Sequence, residues 1–271
     1  MTVPTYLFHG NVWNSIQHRI TTSNRTFLLF DYDGTLVPIK KQPSLSILPV
    51  KMRSLIAQLS ILPNIFVGIV TGRSLYDIRN LVRIKNILYA ANHGFQIHYK
   101  KQTWTHADAK RVLPLLNKVD VVLAKSLTPI KGVLLENKGV TLSVHYRNVN
   151  PERVRRLKRV LKQIIQPYDG MLKITTGKKV FEVRPCISWD KGQAILRILK
   201  MFRATDKSII IFIGDDKTDE DAFKLLPSRA VTIRVGKNKS SNAKYFVRNT
   251  SEVRQFLENI ISLKHNQRDH L

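Results

Sequence analysis

Cysteine is almost missing from this 271-residue chain, with Cys186 alone. No internal disulfide can form, which suits a reducing compartment and sets the cytoplasm as the expected location. Cys186 does not read as a phosphatase nucleophile either. The stretch 186-CISWDKG-192 lacks the arginine that would close a phosphate loop, so the cysteine reads as a small structural residue. Long apolar runs are missing too. A run such as 209-IIIFI-213 is far short of the roughly 20 residues that span a bilayer, so no membrane partner is expected. The start, MTVPTYLFHGNVW, has no basic segment followed by an apolar block, so no secretory signal is visible. Repeats and low-complexity linkers are absent.

Acids are the scarce charge: 19 against 45 lysines and arginines, a net +26. Such an excess raises nucleic acid or an anionic surface as partner. Its distribution argues otherwise, because residues 108–187 hold 17 basic and 6 acidic residues and the rest of the surplus is spread over the remainder. The densest run, 152-ERVRRLKRVLKQII-165, puts Val154, Leu157, Leu161 and Ile164 on one helical face and its cations on the other. A solvated helix face is the favoured reading and nucleic acid is disfavoured as partner. A monomer is expected.

What is there is an ordinary globular composition, 43% apolar and 24% charged, enough for a large core. Short β-branched runs, 27-FLLF-30, 65-IFVGIV-70, 87-ILYAA-91, 209-IIIFIG-214 and 230-AVTIRVG-236, read as strands buried on both faces. Helical patterns at 49–61, 74–84, 193–202 and 218–227 lie between or after them. Strand alternating with helix predicts an α/β fold, a Rossmann-like doubly wound parallel sheet. From about 108 to 187 the rhythm breaks into a helix at 109–126, a strand at 140–147, the basic helix, and strands at 171–177 and 179–185. These strands alternate apolar and polar, as for a sheet with one open face. The expected organisation is a core of 1–107 and 188–271 with a smaller α/β domain, 108–187, inserted into it.

The core strands end in chemistry. In 27-FLLFDYDGTLVP-38 an apolar run stops at Asp31 and Asp33; the next strands stop at 71-TGR-73, 92-NHG-94 and 215-DDKTDED-221. In open parallel sheets ligands bind beyond these carboxyl ends. Carboxylates converging from two strands form a hard oxygen site suited to Mg²⁺. An aspartate can also attack phosphorus, and a second carboxyl two residues on can move the proton. Lys191 can neutralise a phosphate oxygen, Thr71 can donate a hydroxyl, and the backbones of Gly34 and Gly72 allow close approach.

DYDGT, VTGRS, DKG and GDDKTDED, in this order, resemble the motifs of the haloacid dehalogenase superfamily of aspartate-nucleophile phosphatases. NHG, 136-ENKGVTLSVHYR-147 and 177-GKKVFEVRP-185 further resemble the trehalose-6-phosphate phosphatases, the match running from about Phe27 to Phe246. That resemblance implies an inserted cap domain and Mg²⁺-dependent hydrolysis of a sugar phosphate, trehalose 6-phosphate, through an aspartyl-phosphate. Other sugar phosphates, of sucrose, mannosylglycerate or hexoses, are the alternative. It implies Asp31 as nucleophile and Asp33 as general acid/base. Asp31, the Asp33 carbonyl and Asp215 are the implied metal ligands, with Asp216 and Asp219 behind them. Thr71, Gly72 and Lys191 are implied phosphate holders. Arg73 and His93 are further candidate substrate contacts. In the cap, Glu136, Lys138, Arg147, Lys178 and Glu182 are implied sugar contacts.

Overall fold

The apolar runs become strands and the periodic segments helices in the computed structural model, which describes residues 3–40, 45–177 and 179–268. In chain order these are β1 (Thr5–Tyr6), α1 (Val12–Thr22), β2 (Arg25–Phe30), α2 (Val50–Ile61), β3 (Ile65–Val70), α3 (Leu75–Val82), β4 (Leu88–Ala91), β5 (Gln96–Tyr99) and β6 (Gln102–Thr105). Then come α4 (Ala107–Arg111), α5 (Leu113–Leu127), β7 (Leu134–Asn137), β8 (Leu142–His145), α6 (Pro151–Ile165), β9 (Leu172–Gly177) and β10 (Val180–Pro185). The chain continues with α7 (Lys191–Met201), β11 (Ser208–Gly214), α8 (Lys217–Leu225), β12 (Val231–Val235), β13 (Tyr245–Val247) and α9 (Thr250–Arg268). Two compact units result: Met1–Thr103 with Trp189–Leu271, and Trp104–Ser188.

The larger unit is built on a nine-stranded sheet in the order β1-β13-β12-β11-β2-β3-β4-β5-β6. From β1 to β4 every pairing is parallel, and β5 adds antiparallel to β4. Phe27, Leu28, Leu29 and Phe30 of β2 are all fully buried, as a central strand covered on both faces requires. One core cluster joins Leu28 and Phe30 to Met52 and Ile56 of α2 and to Val253, Phe256, Leu257 and Ile260 of α9. The described segments near both ends, which the motifs leave unassigned, contribute to this core: Ile16 and Ile20 of α1 are fully buried, and β1 lies against β13.

The smaller unit has a four-stranded sheet, β7-β8-β10-β9, whose described pairings are antiparallel. Leu116, Val119 and Leu123 of α5 and Leu157, Leu161 and Ile165 of α6 pack with Val144, Phe181, Val183 and Leu172 in its core. The other face of the sheet is polar. Register places Glu136, Ser143, Glu182 and Thr175 in one row across its strands. The outer side of α6 exposes Arg155, Arg156, Lys158, Arg159 and Lys162. The single helix expected at 109–126 is two, broken at Val112, because Pro114 supplies no amide hydrogen and its ring clashes with the carbonyl four residues back. Cys186, read as structural, is exposed. No helix among the described residues is long and apolar enough to cross a membrane.

Candidate active site

Neighbouring parallel strands bring their carboxyl ends to one edge. In the run β11-β2-β3-β4 those ends are followed by Asp215, Asp31, Thr71 and Asn92. Asp31, Asp215 and Asp219 each offer a carboxylate oxygen, and these oxygens lie within 4.8 Å of one another. The Lys191 ammonium enters from the start of α7, where the Asp190 side chain accepts the Gln193 amide hydrogen at 2.9 Å. It donates to Asp31 Oδ1 and Asp219 Oδ1, both at 2.8 Å. The side chains of Asp31, Lys191 and Asp219 are 8%, 2% and 0% exposed.

This is a desolvated cluster with more negative than positive charge. Burial, then the charges of Asp219 and Asp215, push the Asp31 carboxyl well above the usual range, against the pull of Lys191. Burial alone would lower the Lys191 ammonium, but Asp219 and Asp31 outweigh it and hold it above its ordinary value. A hard divalent cation fits this oxygen-rich donor set. Asp219 is the fastener of the group, since its Oδ2 accepts the backbone amides of Asp215 at 3.0 Å and Asp216 at 2.9 Å. Asp216 itself turns to a capping box at the start of α8, accepting from the Lys217 amide at 2.6 Å. So Asp219 belongs with Asp31 and Asp215, whereas Asp216 holds the helix that carries it.

The loop after β2 has no room for side chains at Gly34. Its φ is +85°, and a Cβ there would lie 2.2 Å from Asp215 Oδ2. Gly72 is also close-packed, since a Cβ would come within 2.7 Å of the His93 ring. Thr71 is buried, its carbonyl accepting the His93 amide at 2.8 Å, while the Asn92 amide donates to the Arg73 carbonyl at 2.8 Å. Asn92 and His93 hold φ of 51° and 55°, the left-handed region that is disfavoured for non-glycine residues, least so for asparagine.

Asp33 and Arg73 are paired with each other. Arg73 Nε and Nη2 donate to Asp33 Oδ2 and Oδ1 at 2.6 and 2.7 Å, and Nη1 donates to Asp77 Oδ2 at 2.5 Å. Burial disfavours the guanidinium, but Asp33 and Asp77 more than compensate and raise it above its ordinary value. The sequence reading missed Asp77. Its signal was the four-residue spacing from Arg73 across a serine-capped helix start.

In the smaller unit, Lys138 Nζ lies 3.2 Å from Glu182 Oε1, which also accepts from the Ser143 hydroxyl at 3.3 Å. Glu136 pairs with His145 Nε2 at 2.8 Å. Arg147 is exposed beyond β8, and Lys178 lies outside the described residues. Ser143 and Thr175, which share the row of Glu136 and Glu182, were not singled out in the sequence.

Comparisons add an independent line. The trehalose-phosphatase family model matches residues 29–251. Trehalose-phosphate phosphatase B of Arabidopsis thaliana is 37% identical over 251 residues, covering 88% of this chain and 66% of that protein, so the chain spans about two thirds of that relative. Among solved structures, a trehalose-6-phosphate phosphatase related protein is similar with a TM-score of 0.79 and 26% identity, over 89% of this chain and 99% of that one. The C-terminal domain of the trehalose-6-phosphate phosphatase of C. albicans gives 0.78 at 23% identity, over 96% and 98%, a likeness of fold.

Proposed function

The chain belongs to the trehalose-phosphatase family, and from that premise we propose that it is a Mg²⁺-dependent phosphatase converting trehalose 6-phosphate to trehalose and phosphate. The observation that carries the reading is the buried Asp31–Lys191–Asp219 cluster beside Asp215, at the strand ends where such folds bind ligands. An Asp31 oxygen attacks phosphorus. The bond from phosphorus to the sugar oxygen breaks, and that oxygen takes a proton from Asp33. Water then gives a proton to Asp33 and attacks the aspartyl-phosphate. The bond from phosphorus to Asp31 breaks, phosphate leaves and the carboxylate is restored.

Asp31, Asp215 and the Asp33 carbonyl would hold the metal, with Asp219 supporting them through the Asp215 amide and Lys191. Mg²⁺ supplies neutralisation of charge on the transferring phosphoryl oxygens. Lys191 contributes a fixed positive charge at Asp31 and Thr71 a hydroxyl at the end of β3. The smaller unit is read as the selecting domain, its polar sheet face offering carboxylates, an ammonium and hydroxyls to an uncharged sugar. The scarcity of cysteine is consistent with a cytoplasmic setting.

The test is phosphate release from a panel of sugar phosphates, with and without Mg²⁺. Release from trehalose 6-phosphate should exceed that from the others, stop on exhaustive chelation and return with Mg²⁺. Ca²⁺ should restore it poorly, because it takes more ligands in looser geometry. Full turnover after chelation, or equal turnover of unrelated hexose phosphates, would count against the reading.

A further inference from the structure

The chemistry proposed above uses Asp33 to carry a proton, yet the structure surrounds that carboxylate with groups which the chemistry leaves idle. Arg73 is 7% exposed and presents one edge of its guanidinium to both oxygens of Asp33. Its remaining nitrogen, Nη1, is held by Asp77. The guanidinium carbon stands 5.3 Å from the centre of the Tyr32 ring, and the Tyr32 hydroxyl donates to the Ser46 carbonyl at 2.6 Å. Asp77 lies in the first turn of α3, its amide donating to the Ser74 hydroxyl at 3.1 Å.

The two carboxylates sit on different supports. Asp77 is fixed to a capped helix, whereas Asp33 is on the loop that follows β2. A guanidinium is a planar fork of five N–H donors that can hold two carboxylates at once without moving. With both oxygens on that fork, Asp33 has to open at least one bond before it meets a leaving oxygen. Arg73 would stay behind, anchored by Asp77 and stacked near Tyr32.

We propose that Asp77 is a positioning residue for the reaction: it anchors Arg73 as the seat from which Asp33 leaves, and to which it returns, at each proton transfer. This rests on the reading of Asp33 as proton carrier, and it assigns Arg73 to Asp33 in place of the substrate. It makes the contribution of Asp77 dependent on the leaving group. A sugar alkoxide needs a proton as it departs; a nitrophenolate does not.

The experiment compares kcat/KM for trehalose 6-phosphate and p-nitrophenyl phosphate in Asp33→Asn, Asp77→Asn, Arg73→Lys and Asp77→Glu, with thermal melts of each. Asp77→Asn, nearly isosteric, should lower kcat/KM for the sugar phosphate about tenfold or more and change that for the aryl phosphate less than about threefold. The loss should appear in kcat, Arg73→Lys should behave alike because an ammonium has no fork, and Asp77→Glu should recover part of it. If Asp33→Asn is selective for the sugar phosphate and Asp77→Asn is not, the seat is wrong and the proton carrier stands. If Asp33→Asn lowers kcat/KM, which reports the transfer to Asp31 and not the later hydrolysis shared by both substrates, equally for both in a folded protein, the proton-carrier reading falls and takes the seat with it. A rise in KM for both substrates would return Arg73 to the substrate.

Discussion

The two units bury charge to different depths. The larger one has a sealed centre: Lys191 and Asp219 are nearly closed off from solvent, and each group holds the other in place. The smaller one seals its charge less completely. Its polar sheet face carries Glu136 and His145 at 36% and 23% side-chain exposure, with Lys138 and Glu182 at 9% and 13%. The difference fits the two tasks proposed above for the units. Stabilising a charged transition state favours fixed charges in a dry site, where they act strongly and need no reorganisation. Choosing among uncharged sugars favours hydrogen-bonding groups that can exchange water for a hydroxyl, since an unmet buried group is costly.

The sharpest way to break this contrast is Asp31→Asn. An amide is a far poorer nucleophile, so phosphate release should fall by roughly a thousandfold or more while the fold survives. Near-normal turnover in a folded, carefully purified variant would end the mechanism. Lys191→Met comes next. It leaves Asp31 and Asp219 buried without their common cation, so with chelator present the protein should lose about 3–5 kcal/mol of stability. Urea unfolding measures this, and a loss below about 1 kcal/mol would mean that water already reaches the cluster.

Glu182→Ala tests the other side. It should lower kcat/KM for trehalose 6-phosphate by roughly tenfold to a thousandfold, the equivalent of about 1.4–4 kcal/mol. A small aryl phosphate should be nearly indifferent. An equal fall with both substrates would show that Glu182 supports its own sheet rather than a sugar, and the division of labour between the units would lose its footing.

Much of the larger unit was legible because burial writes itself into sequence. Fully covered strands must be apolar throughout, so 27-FLLF-30 and 209-IIIFIG-214 stand out, and their abrupt ends in carboxylates mark the site edge. The chain ends were harder. The Val253, Phe256, Leu257 and Ile260 stripe has helical spacing, but β1 and β13 are too short to carry a period. The polar row Glu136–Ser143–Glu182–Thr175 was hidden for a different reason. It depends on register, and a slip of one residue would turn every side chain to the other face. The pairing of Arg73 with Asp33 was equally out of sight, because it closes between separate strands and no local pattern announces it.

The left-handed turn at Asn92 and His93 bears on how the molecule is made. Its amides reach back to the carbonyls of Arg73 and Thr71, beside the local bonds from the Phe95 amide to the Asn92 carbonyl and from Asn92 Nδ2 to Gln96 Oε1, so two of the bonds that hold the turn form only once β3 and β4 have paired. Before that, the unfavourable dihedrals are only partly offset. We expect this edge to be completed late, after the barrier to folding has been crossed on sheet and helix contacts. Residues of this kind govern how quickly the native state is lost and leave the rate at which it is reached nearly unchanged. Stopped-flow traces of Asn92→Ala should show faster unfolding with an unaltered refolding limb, and a slowed refolding limb would place the turn in the nucleus instead. With an unaltered refolding limb, the chain would acquire its shape first and its chemistry last.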